Sequence, residues 1–331
     1  MYLPFTDQTY GNQQQSYKHE TCIALAINND NTMLLTGWDV KTLVHIFKQG
    51  VLKQFKFLNH HSAEVSTLNF CVKNSNIVSG SLDGSIVISS IQQIAKSKWI
   101  QKLKGLQDIL CLVISPQSED FIVAGSQDNS IKFWQCINKQ FSYSQSIFEH
   151  SGSVSGLSYC QQEDKIISCG IDCLILLIEQ VKNNAVVSWV VKQKIQVDQF
   201  GYRLSFINNK IFVFQPEQCN NSNLIIYTLN DQKQFTESNK LSITDGGLSC
   251  YYFFPLIYNN KKNILINKNN NYVNVIRVLK QGKEEECVEF RLEQAIDFKD
   301  NCNFGTLSND GEYLVTWDQD SYKIQVRKYI E

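Results

Sequence analysis

Between residues 61 and 88 the chain reads HSAEVSTLNFCVKNSNIVSGSLDGSIVI, an alternation of short apolar runs with turn residues. Val65, Leu68 and Phe70 fall at the spacing of a half-buried strand. A second run ends in Ser79-Gly80-Ser81, and a third, Ser85-Ile86-Val87-Ile88, follows Asp83-Gly84. β-Branched runs of this length separated by Asp-Gly and Asn-Ser predict antiparallel strands, because those turn residues accept the φ values that a tight hairpin requires. The same order of features returns in DILCLVISPQSEDFIVAGSQDNSIKFW at 108–134 and in HSGSVSGLSYCQQEDKIISCGIDCLILLI at 150–178.

The recurrence has a period. Taking the second-strand position of Ser79 as a ruler, its equivalents are Thr36, Ala124 and Ser168, with steps of 43, 45 and 44 residues. A last clear copy, EYLVTWDQDSYKIQV, places Thr316 there, 148 residues beyond Ser168, which leaves room for two further copies and makes seven. Four short strands every 40–45 residues with a late Asp turn build a β-propeller blade by blade. On the residues His61, Ser79 and Asp83, then Ala124, Asp128 and Trp134, then His150, Ser168 and Asp172, the chain resembles the WD40 family over essentially its whole length. The Trp-Asp pair that names the family is absent from the end of the third strand, where only Trp134 keeps the Trp. The pairs Trp38-Asp39 and Trp317-Asp318 fall earlier, just past the second strand. The resemblance is therefore to a divergent member.

It implies an all-β, seven-bladed WD40-type β-propeller. One domain would span residues 1–331, with a closing strand at about 1–10 and blades over about 17–330. Blade seven ends at its third strand, Tyr322–Tyr329, so MYLPFTDQTY is the expected donor of its fourth, removing an unpaired edge. Blade one takes 21–28, 31–38, 41–47 and 51–58, with Val40 rather than Asp39 at the place of Asp83. Blade two closes with 96–103 and blade four with 185–196. Blade five offers 202–209, 210–217 and 223–230, its turn replaced by Gln218–Ser222. Blade six offers 248–258, 263–269, 274–280 and 286–293. Neither carries the His or the turn Asp. Blade seven offers 304–317 and then a turn at Asp320.

Composition narrows the function classes. A net charge of −1 gives no global field toward nucleic acid or an anionic membrane. The N-terminus lacks the basic start and apolar core of a secretory signal, and the longest apolar run, Cys250–Tyr258, contains a proline and is far too short to span a bilayer. The 11 cysteines have no framework spacing, which reads as reduced thiols in a cytoplasmic or nuclear protein, where the sequon Asn220-Asn221-Ser222 would stay unmodified.

His, Ser and Asp recurring together invite a hydrolase reading. His61 precedes Ser79 by 18 residues and Asp83 by 22, and His150 precedes Ser168 and Asp172 by the same intervals. The match selects His61 over His60. In WD40 blades these three side chains hydrogen-bond to one another, and duplication in two blades favours architecture over one catalytic set with an exposed nucleophile and an oxyanion hole. Cys169 and Cys173 lie four apart, but a structural zinc site needs four ligands and no second pair accompanies them. Glu284-Glu285-Glu286 reads as a solvated loop, and no Gly-rich phosphate loop is present. Phosphoinositide-binding propellers carry paired arginines in blade five, where this chain has only Arg203. No cofactor is expected.

What remains is recognition. Trp38 and Trp317 are candidate partner anchors, with burial between blades as their alternative. Tyr202, Arg203 and the aromatic run Tyr251–Pro255 form a second candidate patch. The expectation is a non-enzymatic scaffold or adaptor for protein or peptide partners in a multiprotein complex, with lipid head-group binding and a His–Ser–Asp hydrolase as the alternatives.

Overall fold

The computed structural model describes residues 4–7, 21–73, 75–105, 107–183, 186–217, 223–247, 250, 253–281 and 287–330. Its strands pair into seven four-stranded antiparallel sheets, the blades of the expected propeller class. The contacts group into two compact units, residues 1–105 with 244–331, and residues 106–243.

The first unit holds blades one, two, six and seven. Blade one is β2 (Cys22–Ile27), β3 (Met33–Trp38), β4 (Lys41–Lys48) and β5 (Val51–Leu58). Blade two is β6 (Val65–Phe70), β7 (Asn76–Ser81), β8 (Ile86–Ser90) and β9 (Trp99–Leu103), with a 3-10 helix, Ile91–Lys96, between the last two. The second unit holds blade three, β10 (Ile109–Ile114), β11 (Phe121–Ser126), β12 (Ile131–Ile137) and β13 (Gln140–Ile147), and blade four, β14 (Val154–Tyr159), β15 (Lys165–Gly170), β16 (Leu174–Asn183) and β17 (Val186–Gln196). It ends with blade five, β18 (Gly201–Asn208), β19 (Ile211–Pro216), β20 (Asn223–Leu229) and β21 (Phe235–Ser242). The chain then returns to the first unit for blade six, β22 (Ile257–Asn259), β23 (Ile264–Asn269), β24 (Tyr272–Gln281) and β25 (Cys287–Asp297), and blade seven, β26 (Asn303–Leu307), β27 (Tyr313–Asp318) and β28 (Lys323–Tyr329).

The N-terminal β1 (Phe5–Asp7) completes blade seven as its fourth strand, with Phe5 opposite Tyr329 and Asp7 opposite Arg327. Phe5 is buried and meets Tyr329 edge to face at 5.4 Å.

The long apolar run of blade six departs from expectation. Only Ile257–Asn259 pairs as a strand. Pro255 has no amide hydrogen for a ladder, and Phe254 and Leu256 are buried from irregular backbone instead. Gln218–Ser222, Tyr251, Tyr252 and Glu284–Glu286 lie outside the described residues. The fourth strand of blade two starts at Trp99 because the 3-10 helix occupies the preceding residues.

Cores form where faces of successive blades meet, as the in/out alternation of the strands requires. Leu25, Leu43 and Trp38 of blade one pack with Phe304, Val315 and Trp317 of blade seven. In the second unit, Trp189 of blade four stacks on Phe133 of blade three at 5.1 Å. The outer strands are tied by a repeated side-chain clamp. Gln145 on β13 gives Nε2 to the Trp189 carbonyl at 2.6 Å, and its Oε1 accepts the Trp189 amide at 2.8 Å. Gln193 on β17 holds both backbone groups of Phe235 at 2.8 Å, and Gln294 on β25 holds both of Phe5 at 2.9 Å. Each glutamine flanks a β-bulge in its outer strand. The bulge leaves a residue out of register and turns the amide toward the next blade.

Candidate functional site

The His–Ser–Asp sets assemble as two local networks. In blade two, His61 Nε2 lies 2.8 Å from Ser79 Oγ, and Nδ1 lies 3.3 Å from both oxygens of Asp83. Asp83 also accepts the amides of Ser62 and Ser85, each at 2.9 Å, and Lys102 Nζ stands 3.5 Å away. An Asp two residues before the amide it accepts closes the strand turn on itself, which is why this position is an Asp. Burial pushes the His61 imidazole down to about 4, and the Asp83 charge only partly offsets this. The ring is therefore neutral near pH 7, with Nδ1–H donating to Asp83 and Nε2 accepting from the Ser79 hydroxyl. Burial by itself would raise the Asp83 carboxyl, but the hydrogen bonds from Ser85 and Ser62 and the neighbouring His61 hold it well below the usual carboxylate range.

Blade four repeats the arrangement. His150 Nε2 is 2.9 Å from Ser168 Oγ, and Nδ1 is 3.0 Å from both oxygens of Asp172, which also accepts the Ser151 amide at 2.8 Å. Burial lowers the His150 pKa against the pull of Asp172. In blade three, with Ala124 and no loop His, Asp128 keeps the turn through the Ser130 amide at 3.0 Å and pairs with Lys132 at 3.6 Å.

Blades one and seven solve the same problem with different residues. Thr36 accepts the Trp38 indole N–H at 2.8 Å and lies 2.9 Å from Nε2 of His45, which comes from the third strand. Thr316 accepts Arg327 Nη1 at 2.8 Å. The turn carboxylate of blade seven is Asp318 rather than the expected Asp320. Asp318 is 2% exposed and accepts the Ser321 amide at 2.7 Å, while Asp320 is exposed. A four-residue turn, 319–322, follows Asp318, whose side chain at the strand end reaches the turn amide while Asp320 points to solvent from within the turn.

The surface candidates divide. Trp38 and Trp317 are 3% and 0% exposed and meet edge to face at 6.0 Å, so they are core residues and are withdrawn as partner anchors. Arg203 is 2% exposed, which takes it away from any partner or lipid head group. Tyr202 keeps a partly exposed ring and packs on Phe200 at 5.5 Å. Ser79 and Ser168 are 5% and 0% exposed, so neither hydroxyl is placed as an accessible nucleophile. Cys169 is buried in β15 and Cys173 occupies the next turn at φ 60°. Among the described residues no three His, Cys, Asp or Glu side chains gather as a metal site. Among them, too, no helix is long and apolar enough to cross a membrane.

Two exposed apolar side chains that the sequence reading passed over flank the blade-four network. Phe148, 70% exposed, sits two residues before His150, and Ile171, 48% exposed, directly precedes Asp172. Ile171 is held by the network: Asp172 joins the loop of Ser151 to the β15–β16 turn, and the Ile171 amide donates to the Ser153 carbonyl at 3.1 Å. The signal available in sequence was that Ile171 adjoins a network residue and Phe148 lies two residues before one.

Two stretches, residues 52–88 and 97–135, match the family model of the WD domain, G-beta repeat (WD40). They cover the last strand of blade one with most of blade two, and the last strand of blade two with most of blade three, so each match straddles a blade boundary. Together with seven four-stranded blades and the repeated His–Ser–Asp geometry, these matches support a WD40-repeat β-propeller. No curated protein matches it in sequence. WD40 propellers are in general interaction modules, and the fold is consistent with protein partners.

Proposed function

We propose that the protein is a non-catalytic adaptor that holds a protein or peptide partner on the blade-four loop carrying its His150–Asp172 network, as a subunit of a larger complex. The observation that carries this reading is the pinned loop of blade four, which presents Phe148 at 70% exposure two residues before buried His150, with exposed Ile171 next to Asp172 of the same three-residue network. Loops on rigid scaffolds are where recognition residues concentrate. An aromatic side chain whose loop is already ordered loses little entropy on binding, which favours it as an anchor. The inaccessibility of Ser79 and Ser168 argues against the hydrolase alternative.

Affinity purification of the tagged protein from its own cells, in parallel with Phe148→Ser/Ile171→Ser, tests the proposal. Stoichiometric partners retained by the wild type and lost from the variant at unchanged Tm support it. Partners retained equally by both, or a clean monomer in both, overturn it.

A further inference from the structure

The seven blades act as internal controls for one another. Tyr143 and Val190 are exposed on the outer strands of blades three and four, but blades one and two differ from the others in the residue that the outer-strand bulge exposes. At the bulge of each outer strand one residue is left out of register: Phe55, Ile100, Ser144, Lys192, Ser238 and Glu293 in blades one to six. Four of these are polar, as an outward position predicts. Phe55 and Ile100 are apolar and 49% and 48% exposed. In the same two blades Ile46, Val51, Val72 and Trp99 are exposed as well, Trp99 at 52%.

The charge of this region is equally one-sided. Residues 41–104 contain nine lysines against Glu64 and Asp83, in a chain of net charge −1. No acid occurs between residues 41 and 63 or between 84 and 107. Lys48, Lys53, Lys96 and Lys98 are exposed, and none of them makes an ion pair among the described residues. Glu64 and Asp83 stand at the other end of their blade, with the His61 loop, because the Val65 amide bonds the Asp39 carbonyl there and sets the two blades in the same direction.

The lysines and apolar side chains form one surface. The β4–β5 turn (Lys48 to Val51), the β6–β7 turn with Val72 and Lys73, and the 3-10 helix all lie at the end opposite the His61 loop. The Ile91 amide bonds the Ser75 carbonyl, and Lys56 Nζ on β5 donates to the Ala95 carbonyl on the helix, joining blade one to blade two.

We propose that this rim of blades one and two docks on an anionic membrane surface. Phe55, Trp99 and Ile100 would enter the headgroup region, with Lys48, Lys53, Lys96 and Lys98 over the acidic lipids. Lysines act as point charges and suit a diffuse negative plane, whereas discrete phosphates and carboxylates on a peptide are better met by the forked guanidinium, and residues 41–104 contain no arginine. Trp at the water–lipid boundary beside lysine and aliphatic side chains is the composition that interfacial docking uses. Aliphatic Ile46, Val51 and Ile100 offer no stacking platform for bases, which disfavours single-stranded nucleic acid.

Trp99 makes the test direct, because Trp38, Trp134, Trp189 and Trp317 are all buried at 3% exposure or less. The full chain is titrated with phosphatidylcholine vesicles, with and without 30% phosphatidylserine, following tryptophan emission and its quenching by brominated acyl chains. The expected result is a blue shift and quenching only with the anionic vesicles, weakened by salt. Lys48→Gln, Lys53→Gln and Lys98→Gln should each weaken binding about fivefold. Phe55→Ser/Ile100→Ser should abolish quenching while leaving the circular dichroism spectrum and Tm in place. Unchanged emission with anionic vesicles overturns the proposal, as does binding indifferent to these substitutions. Tight binding of a polyglutamate peptide without lipid quenching overturns it in favour of an acidic protein partner.

Discussion

His61 provides a quantitative test of whether the blade networks are built on neutral or charged imidazole. Its ring is pushed down to about 4 from an ordinary value of 6.5. A group whose folded pKa lies below its unfolded one binds fewer protons in the native state, so its contribution is complete above pH 6.5 and is lost as pH falls from there toward 4. At pH 5 the unfolded ring is almost fully protonated and the folded ring almost fully neutral, which costs about 2 kcal/mol of stability through this residue. The perturbation is His61→Ala. At pH 7.5 it removes the bonds to Ser79 and Asp83, a loss of about 2–3 kcal/mol for buried partners left unmatched. At pH 5 the wild type has already given up about 2 kcal/mol through that ring and the variant has not, so the difference between them should shrink to about 1 kcal/mol or less. Urea unfolding followed by circular dichroism at both pH values measures it. A difference that stays constant, or grows at pH 5, would mean that the imidazolium–Asp83 ion pair is the stabilising species and would refute the neutral network.

The remaining predictions concern how blades are joined. Deleting residues 1–7 removes buried Phe5, both of its bonds to Gln294, and the bond from the Ile330 amide to the Pro4 carbonyl. The freed edge of β28 should lower Tm and give concentration-dependent aggregation by light scattering; an unaltered Tm would show that the closing strand contributes nothing. Gln145→Ala strands the amide and carbonyl of Trp189, so denaturant unfolding should show a loss of about 2 kcal/mol, partly recovered by no substitution lacking both a donor and an acceptor. Loss in Gln145→Leu no larger than a few tenths of a kcal/mol would dismiss the clamp as a stabilising device.

The repeat was legible in the chain because each strand's alternation and the late turn Asp of blades two, three and four are local necessities that recur at fixed spacing. The same is true of the two His–Ser–Asp networks: three residue types at identical intervals in two blades can be matched without coordinates. The closing strand was legible from arithmetic, since blade seven lacked a fourth strand and the N-terminus carried an unassigned apolar segment. What sequence could not decide was side-chain direction. Trp38 and Trp317 stand at the ends of second strands, next to exposed turns, and only the packing of blade seven on blade one turns them into each other's core. Arg203 and Lys268, charged residues at 2% and 0% exposure, are inside for a similar reason: Lys268 finds the Asn301 carbonyl at 2.7 Å and the Phe304 ring at 5.0 Å, partners far away in sequence. Asp318 displaced Asp320 because a turn's geometry, not its composition, selects which carboxylate reaches the backbone. The glutamine clamps and the basic, apolar rim of blades one and two likewise depend on bulges that set which residue leaves the register. A strand pattern fixes alternation along one segment, whereas burial and partnership are settled between segments, and that is the part only the tertiary structure supplies.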